Sequence, residues 1–192
     1  EARDERAEYE STGPGDAEQR ESAQEPPGEG AEELDQSLKR LASFDALKDV
    51  DKACQRLHQA LQQQEKILIV GDFDADGATS TAVAIRALRS MGATQVDFLV
   101  PNRFEFGYGL SPALVEYAKN LSPGLIITVD NGIVSFDGVA KATELGIEVI
   151  ITDHHMPAES LPNAVAVVNP NRRDCMFPSK SIAGVGVIFY VM

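Results

Sequence analysis

Residues 67–81 read Ile67-Leu68-Ile69-Val70-Gly71-Asp72-Phe73-Asp74-Ala75-Asp76-Gly77-Ala78-Thr79-Ser80-Thr81. Four branched apolar residues with no polar alternation suit a strand buried on both faces. The stretch from Gly71 to Gly77 is glycine- and aspartate-rich, as turns are. From Ala78 a helical pattern runs to about residue 91. A strand, an acidic turn and a helix in that order open a βαβ unit. The same punctuation recurs downstream. Short apolar runs at residues 96–100, 125–129, 147–151 and 164–168 alternate with helical patterns at 111–120 and 135–145. Gly92 and Gly146, each just past a helical pattern, are suited to C-terminal caps. The fold class predicted is α/β: a parallel sheet of about five strands flanked by helices.

Working outward, residues 46–63 form an amphipathic helix carrying the stripe Leu47, Val50, Cys54, Leu57 and Leu61. His58 lies beside that stripe and is given no function. Further toward the start the composition changes. The 192 residues carry a net charge of −13, with 30 acids against 17 bases. Thirteen of those acids and only three bases fall within residues 1–36, so the remainder is near neutral. Glu1 to Glu33 contains no Val, Ile, Leu, Met, Phe or Trp. Such a segment cannot bury enough apolar surface to offset its chain entropy, so residues 1–33 are expected to be a disordered acidic linker or tail. The folded part is expected over residues 34–192.

These numbers exclude several classes. A near-neutral body rules out a broad basic face for nucleic acid, though not a local patch. No apolar run approaches the length of a membrane span, and no signal segment stands at the start, so no membrane partner is expected. Cys54 and Cys175 are far apart with no CxxC, which suggests neither a disulfide framework nor a cysteine zinc site. A reduced, cytoplasmic setting is the expectation. The chain begins at Glu1 and stops inside the apolar run 188–192, so it is expected to be a piece of a longer polypeptide.

The acids of the body collect at strand ends. The first strand is followed by Asp72, Asp74 and Asp76, the third by Asp130-Asn131-Gly132, and the fourth by Asp153-His154-His155. In an open parallel sheet the loops after the carboxyl ends of the strands line one crevice, where ligands bind. Five like charges on one rim are costly unless something positive joins them. Mixed carboxylate and imidazole ligands without thiolate suit Mn²⁺, Mg²⁺ or Fe²⁺. The ligands exceed the needs of one ion. Two ions about 3.5–4 Å apart sharing a carboxylate would form the clamp used in phosphate ester cleavage. Aspartates at strand ends also cap helices and shape turns, and Asp72 taken alone reads equally well that way. The amide end at Gly77-Ala78-Thr79-Ser80 could hold phosphate, but no lysine makes it a Walker loop. A receiver-like acidic pocket fits the double histidine poorly.

Asp74-Ala75-Asp76-Gly77, Val129-Asp130-Asn131-Gly132 and Asp153-His154-His155 resemble the first three motifs of the DHH phosphoesterase superfamily. The segments Val70 to Thr81, Val100 to Phe104, Gly107 to Leu110, Thr152 to His155, Asn169-Pro170-Asn171 and Ala183 to Val187 are similar to the RecJ family of single-strand-specific exonucleases within it. The resemblance runs from about Leu34 to the last residue. It implies a metal-dependent 5′-to-3′ exonuclease that hydrolyses phosphodiester bonds of single-stranded DNA in recombination and repair. A single-strand-binding protein and a helicase are its implied partners. By the same resemblance Asp74 and Asp76 would ligate separate ions (Mn²⁺ or Mg²⁺, two in all) and Asp130 would bridge them. His154 would ligate one ion and His155 would contact the scissile phosphate. Asp72 and Asp153 would orient ligands from behind. Asp130→Ala is expected to abolish cleavage.

Arg103, Arg172, Lys180 and Tyr108 are the candidates for holding DNA, the cations on phosphates and the tyrosine by stacking. Phe106 stands where the resemblance leads one to expect an acid. The family's fourth motif, with a further metal-binding aspartate, is expected beyond Met192, so the isolated chain is expected to be weak or inactive as a nuclease. Two other readings compete. Small-nucleotide phosphodiesterases and pyrophosphatases of the superfamily often place a histidine where this chain has Val70. A degenerate scaffold would have lost the carboxylates that this chain keeps.

Overall fold

The computed structural model describes residues 41–192. The acidic tail expected over residues 1–33 lies outside them. Five parallel strands form one sheet: β1 (Ile67–Val70), β2 (Val96–Leu99), β3 (Leu125–Val129), β4 (Glu148–Thr152) and β5 (Ala166–Val168). Their order is β2-β1-β3-β4-β5. The helices are α1 (Val50–Gln63), α2 (Ala75–Ser90), α3 (Arg103–Phe106), α4 (Pro112–Lys119), α5 (Phe136–Glu144) and α6 (Gly184–Val191). The chain leaves β1 for β2 on one side, then crosses back to β3 on the other. The loops after β1 and β3 therefore diverge at the point where the strand order reverses, which opens a crevice between them.

Strand side chains alternate strictly between two cores. Ile67, Ile69, Leu125, Ile127, Val129, Ile150, Ala166 and Val168 face α1, α2 and α6. Leu68, Val70, Ile126, Val149, Ile151 and Val167 face α4 and α5. Covering both faces explains why β1, β3 and β5 read as unbroken apolar runs, whereas β2 at the sheet edge is half-exposed and carries Asp97. Each fully buried Ile, Leu or Val contributes about 1.5–3 kcal/mol. The predicted α/β architecture is the one found, with shifts at the element ends.

Helix α1 begins at Val50 rather than residue 46, because Phe44–Ala46 make a turn of 3₁₀ helix and Asp49 sits at φ 63°. Helix α2 begins three residues earlier than expected, because Asp74 caps it and Asp76 falls in its first turn. Gly92 and Gly146, at φ 94° and 73°, close α2 and α5. In each case the glycine N–H and the next N–H reach back to Arg89 and Leu88, or to Thr143 and Ala142. Ile147 is thereby used as part of a cap, and β4 starts one residue later than the apolar run. Helices α3 and α6 are not foreshadowed by the sequence pattern. The first is a single turn, and the second is apolar all round and opens with glycines, so neither shows an amphipathic period.

Candidate metal centre

The three acidic loops meet beyond the carboxyl ends of β1, β3 and β4. Asp74 is the N-cap of α2, its Oδ1 accepting from the Gly77 N–H at 2.9 Å. Asp72 has Oδ1 2.8 Å from the Phe73 N–H and is 9% exposed. After β3, Asp130 takes the left-handed conformation, φ 62°, which aspartate tolerates better than most residues. Next to it the Asn131 side-chain amide donates to the carbonyls of Val70 (3.0 Å) and Val129 (2.9 Å). Asn131 thus ties the ends of β1 and β3 together at the switch point.

After β4, Asp153 is 1% exposed and fully engaged. Its Oδ2 accepts from the Ile133 N–H at 2.9 Å. Its Oδ1 accepts from the N–H groups of His154 (2.7 Å) and His155 (3.0 Å) and lies 2.7 Å from His155 Nδ1. That ring contact with Asp153 lifts the His155 pKa to about 9 against the opposing effect of burial. His155 is therefore cationic at neutral pH, with Nε2 on the ring edge away from Asp153. Burial pushes the Tyr108 hydroxyl upward, and the neighbouring carboxylates of Asp153 and Asp72 add to the shift.

Asp130 is the centre of the cluster. It is 2% exposed, and its Oδ1 has no hydrogen-bond partner. His154 Nε2 stands 3.1 Å from that oxygen without hydrogen-bond alignment. Burial, followed by repulsion from Asp76 and Asp74, pushes the Asp130 pKa up to about 7. Two sets of side chains offer ligand atoms within 4.8 Å of one another: Asp130 with His154 and His155, and Asp130 with Asp72 and Asp74. Asp130 belongs to both. A buried carboxylate oxygen without a donor, ringed by carboxylate and imidazole and by no thiolate, fits a hard or borderline divalent cation. Held there, such an ion would satisfy Asp130 and offset the mutual repulsion.

Asp72 stands among the potential ligands. Asp76 instead turns its carboxylate to the start of α6, accepting from the N–H groups of Gly184 and Val185 at 2.7 Å each. Its Oδ2 remains 3.6 Å from His154 Nε2, within reach of the same centre. Gly184 is needed for this approach, because a Cβ there would lie 2.6–2.9 Å from the Asp130 side chain. No local pattern in the sequence marks this partner, which lies 108 positions away.

The candidates for holding nucleic acid separate into two pairs. Arg103 lies beside the β1 loop, its guanidinium 3.5 Å from the centroid of the Phe73 ring. Tyr108 is half-exposed and packs edge-on to His155, with centroids 6.3 Å apart. Arg172 is different: it is 7% exposed and four of its five N–H donors are engaged. It binds Asp49 (2.6 Å), Asp174 (3.0 and 2.8 Å) and the carbonyl of Val167 (2.5 Å). A guanidinium committed in this way is a structural tie, which corrects the expectation that Arg172 contacts DNA. Lys180 is exposed, but its Nζ donates to the carbonyls of Pro170 (2.6 Å) and Cys175 (2.8 Å), so it too is turned to the loop.

The three strand-end motifs all fall within residues 66–192, which match the DHH family, N-terminal domain. The chain belongs to the DHH family. Among DHH relatives, the single-stranded-DNA-specific exonuclease RecJ of Escherichia coli (strain K12) is 56% identical over 162 residues, 84% of this chain and 28% of that protein. The chain therefore spans little more than a quarter of the length of that curated relative. A crystal structure of exonuclease RecJ bound to manganese is similar with a TM-score of 0.69 at 35% identity, over 79% of this chain and 38% of that one. RecJ from Thermus thermophilus in complex with Mn²⁺ gives 0.64 at 32% identity, over 79% and 21%. Among the described residues of this DHH chain, no helix is long and apolar enough to cross a membrane.

Proposed function

We propose that the protein is a metal-dependent exonuclease that hydrolyses phosphodiester bonds of single-stranded DNA from the 5′ end, and that its setting is cytoplasmic DNA recombination and repair. The observation that carries the reading is Asp130, buried, without a hydrogen-bond donor, and within reach of His154 on one side and of Asp72 and Asp74 on the other. A carboxylate shared in this way is suited to two divalent ions, Mn²⁺ or Mg²⁺, with Asp130 between them. The substrate class rests on 56% identity to a protein named as a single-stranded-DNA-specific exonuclease, and the polarity is the one that the resemblance of the motifs implies. A single-strand-binding protein and a helicase are the partners that such a role implies.

Two divalent ions bound there would activate water and stabilise the charge that develops in an in-line displacement at phosphorus. The chain's own residues prepare that step. Asp72, Asp74, Asp130 and His154 present ligand atoms from three strand ends, and Asp76 stands beside them, fixed by α6. His155, held cationic by Asp153, offers Nε2 as a charged donor to a phosphate oxygen. Arg103 and Tyr108 flank the centre, where the backbone and a base of a single strand could lie.

The test is nucleotide release by the full-length polypeptide from single-stranded DNA blocked at either end, with Mn²⁺ or Mg²⁺ supplied and Asp130→Asn as control. Release that needs metal, Asp130 and a free 5′ end is the expected outcome. Release unaffected by a chelator or by the Asp130 replacement would overturn the reading. An absence of release with Mn²⁺ still bound would move it to a small-nucleotide phosphodiesterase or a scaffold.

A further inference from the structure

His154 and His155 lie outside any helix or strand, so their four backbone polar groups have no ladder to satisfy them. Three side chains do it instead. Asp153 Oδ1 accepts both N–H groups, as described above. On the opposite side, Asn171 Nδ2 donates to the His154 carbonyl at 2.5 Å and Asn169 Nδ2 donates to the His155 carbonyl at 2.9 Å. The two asparagines are separated by Pro170, whose ring fixes its φ and so limits the freedom of the turn between them.

The clamp is itself braced. The Asn171 N–H donates to Asn169 Oδ1 at 2.7 Å, and the Arg172 N–H to the Asn169 carbonyl at 3.3 Å. Lys180 holds the Pro170 carbonyl. The Arg172 side chain anchors the loop to β5 and to Asp49 ahead of α1. Asn169 is 0% exposed, so its amide has no water to turn to.

We infer that Asn169 and Asn171 are positioning residues for the metal centre: they fix the His154-His155 backbone so that the His154 ring is aimed at Asp130. The inference rests on the metal-centre reading proposed above. Neither asparagine touches the ligand atoms. Each acts through a histidine carbonyl, in the way that outer hydrogen bonds orient ligating side chains.

The experiment measures Mn²⁺ binding by the full-length polypeptide, from the electron paramagnetic resonance signal of the free ion, at a temperature where every variant is folded. Asn171→Asp keeps the shape but replaces the donor by an acceptor facing the His154 carbonyl. Asn171→Ala removes the donor without adding charge, and it carries the test if the Asp variant does not fold. Leu57→Ala, on the buried face of α1, is the control for lost stability alone. The expected result is about 10-fold or more weaker Mn²⁺ binding in both Asn171 variants, with Leu57→Ala binding as the unaltered chain does. Unaltered Mn²⁺ affinity in a folded Asn171 variant would overturn the clamp while leaving the metal centre standing. Failure of the unaltered chain to bind Mn²⁺ would remove the metal centre and the clamp with it.

Discussion

Replacing Asp130 by asparagine removes the charge at the focus of the cluster and little else. Asparagine has the same outline and accepts φ 62° at least as readily, whereas alanine would add about 1–2 kcal/mol of left-handed strain. The folded chain holds the Asp130 carboxyl at about 7 against an ordinary 3.8. Between those values the folded state binds the proton more tightly than the unfolded chain does. Metal-free stability from this group is therefore lost as pH rises from about 4 to about 7. At about 1.36 kcal/mol per pKa unit the ceiling is about 4 kcal/mol, and local relaxation makes about 2–4 kcal/mol the expected effect. His155 adds a slope of the same sign. Its folded value near 9 lies above the ordinary 6.5, so its contribution is complete below 6.5 and lost as pH rises through 9. At 48% exposure its share is smaller, because solvent screens the pair with Asp153. The assay is the denaturant midpoint in the presence of a chelator at pH 5 and pH 8. Asp130→Asn is expected to gain about 2–4 kcal/mol at pH 8 and much less at pH 5. An equal gain at both pH values, or none at pH 8, would refute the argument that Asp130 is a repelled, desolvated carboxylate.

Other expectations follow from single contacts. Mn²⁺ at 100 times its dissociation constant should stabilise the chain by about 2.7 kcal/mol, seen as a raised melting temperature, and Asp130→Asn should abolish the rise. Gly184→Ala should push α6 away from Asp130 and Asp76, so that Mn²⁺ binding falls at least about 10-fold in titration while far-ultraviolet circular dichroism stays close to that of the unaltered chain. Gly138→Ala drives a Cβ into the Leu110 carbonyl oxygen and should cost about 3 kcal/mol or more in a denaturant titration, because α5 cannot otherwise seat against that loop. Arg172→Met should cost about 2–4 kcal/mol by taking the guanidinium from the Val167 carbonyl and from Asp49, which keeps Lys52 alone as a charged partner, while the salt dependence of single-stranded DNA binding stays unchanged.

Much of this architecture is legible along the chain, for a physical reason. Strands buried on both faces must be apolar throughout, so β1, β3 and β4 announce themselves. The parallel connection then forces Asp72, Asp130 and Asp153 onto one rim whatever the details of packing. What could not be read depends on residues distant in sequence. Arg172 looks like a free surface cation until Asp49, 123 positions earlier, is seen beside it. Asp76 reads as a ligand from its spacing to Asp74, but the two α6 amides that hold its carboxylate are invisible at that range. Helix α6 itself gives no periodic signal, because α2 and the sheet bury much of it and its first residue must be small. Asn169 and Asn171 stand out in the chain only as a turn, since their role lies in which carbonyls they meet.

The tie between Asp49, Arg172 and Val167 has a consequence for how the molecule meets others of its kind. Among the described residues strand β5 is the last on its side of the sheet, and a bare terminal strand is a template onto which a foreign segment can zip. Here the Val167 N–H faces Asp49 Oδ2 at 3.4 Å, and its carbonyl is taken by the guanidinium. A charged pair occupies the place of a sixth strand and takes up both backbone groups of Val167 that such a strand would use. The sheet is thereby guarded against growth in that direction, and a chain that lost Arg172 would be open to polymerisation through β5 as well as less stable.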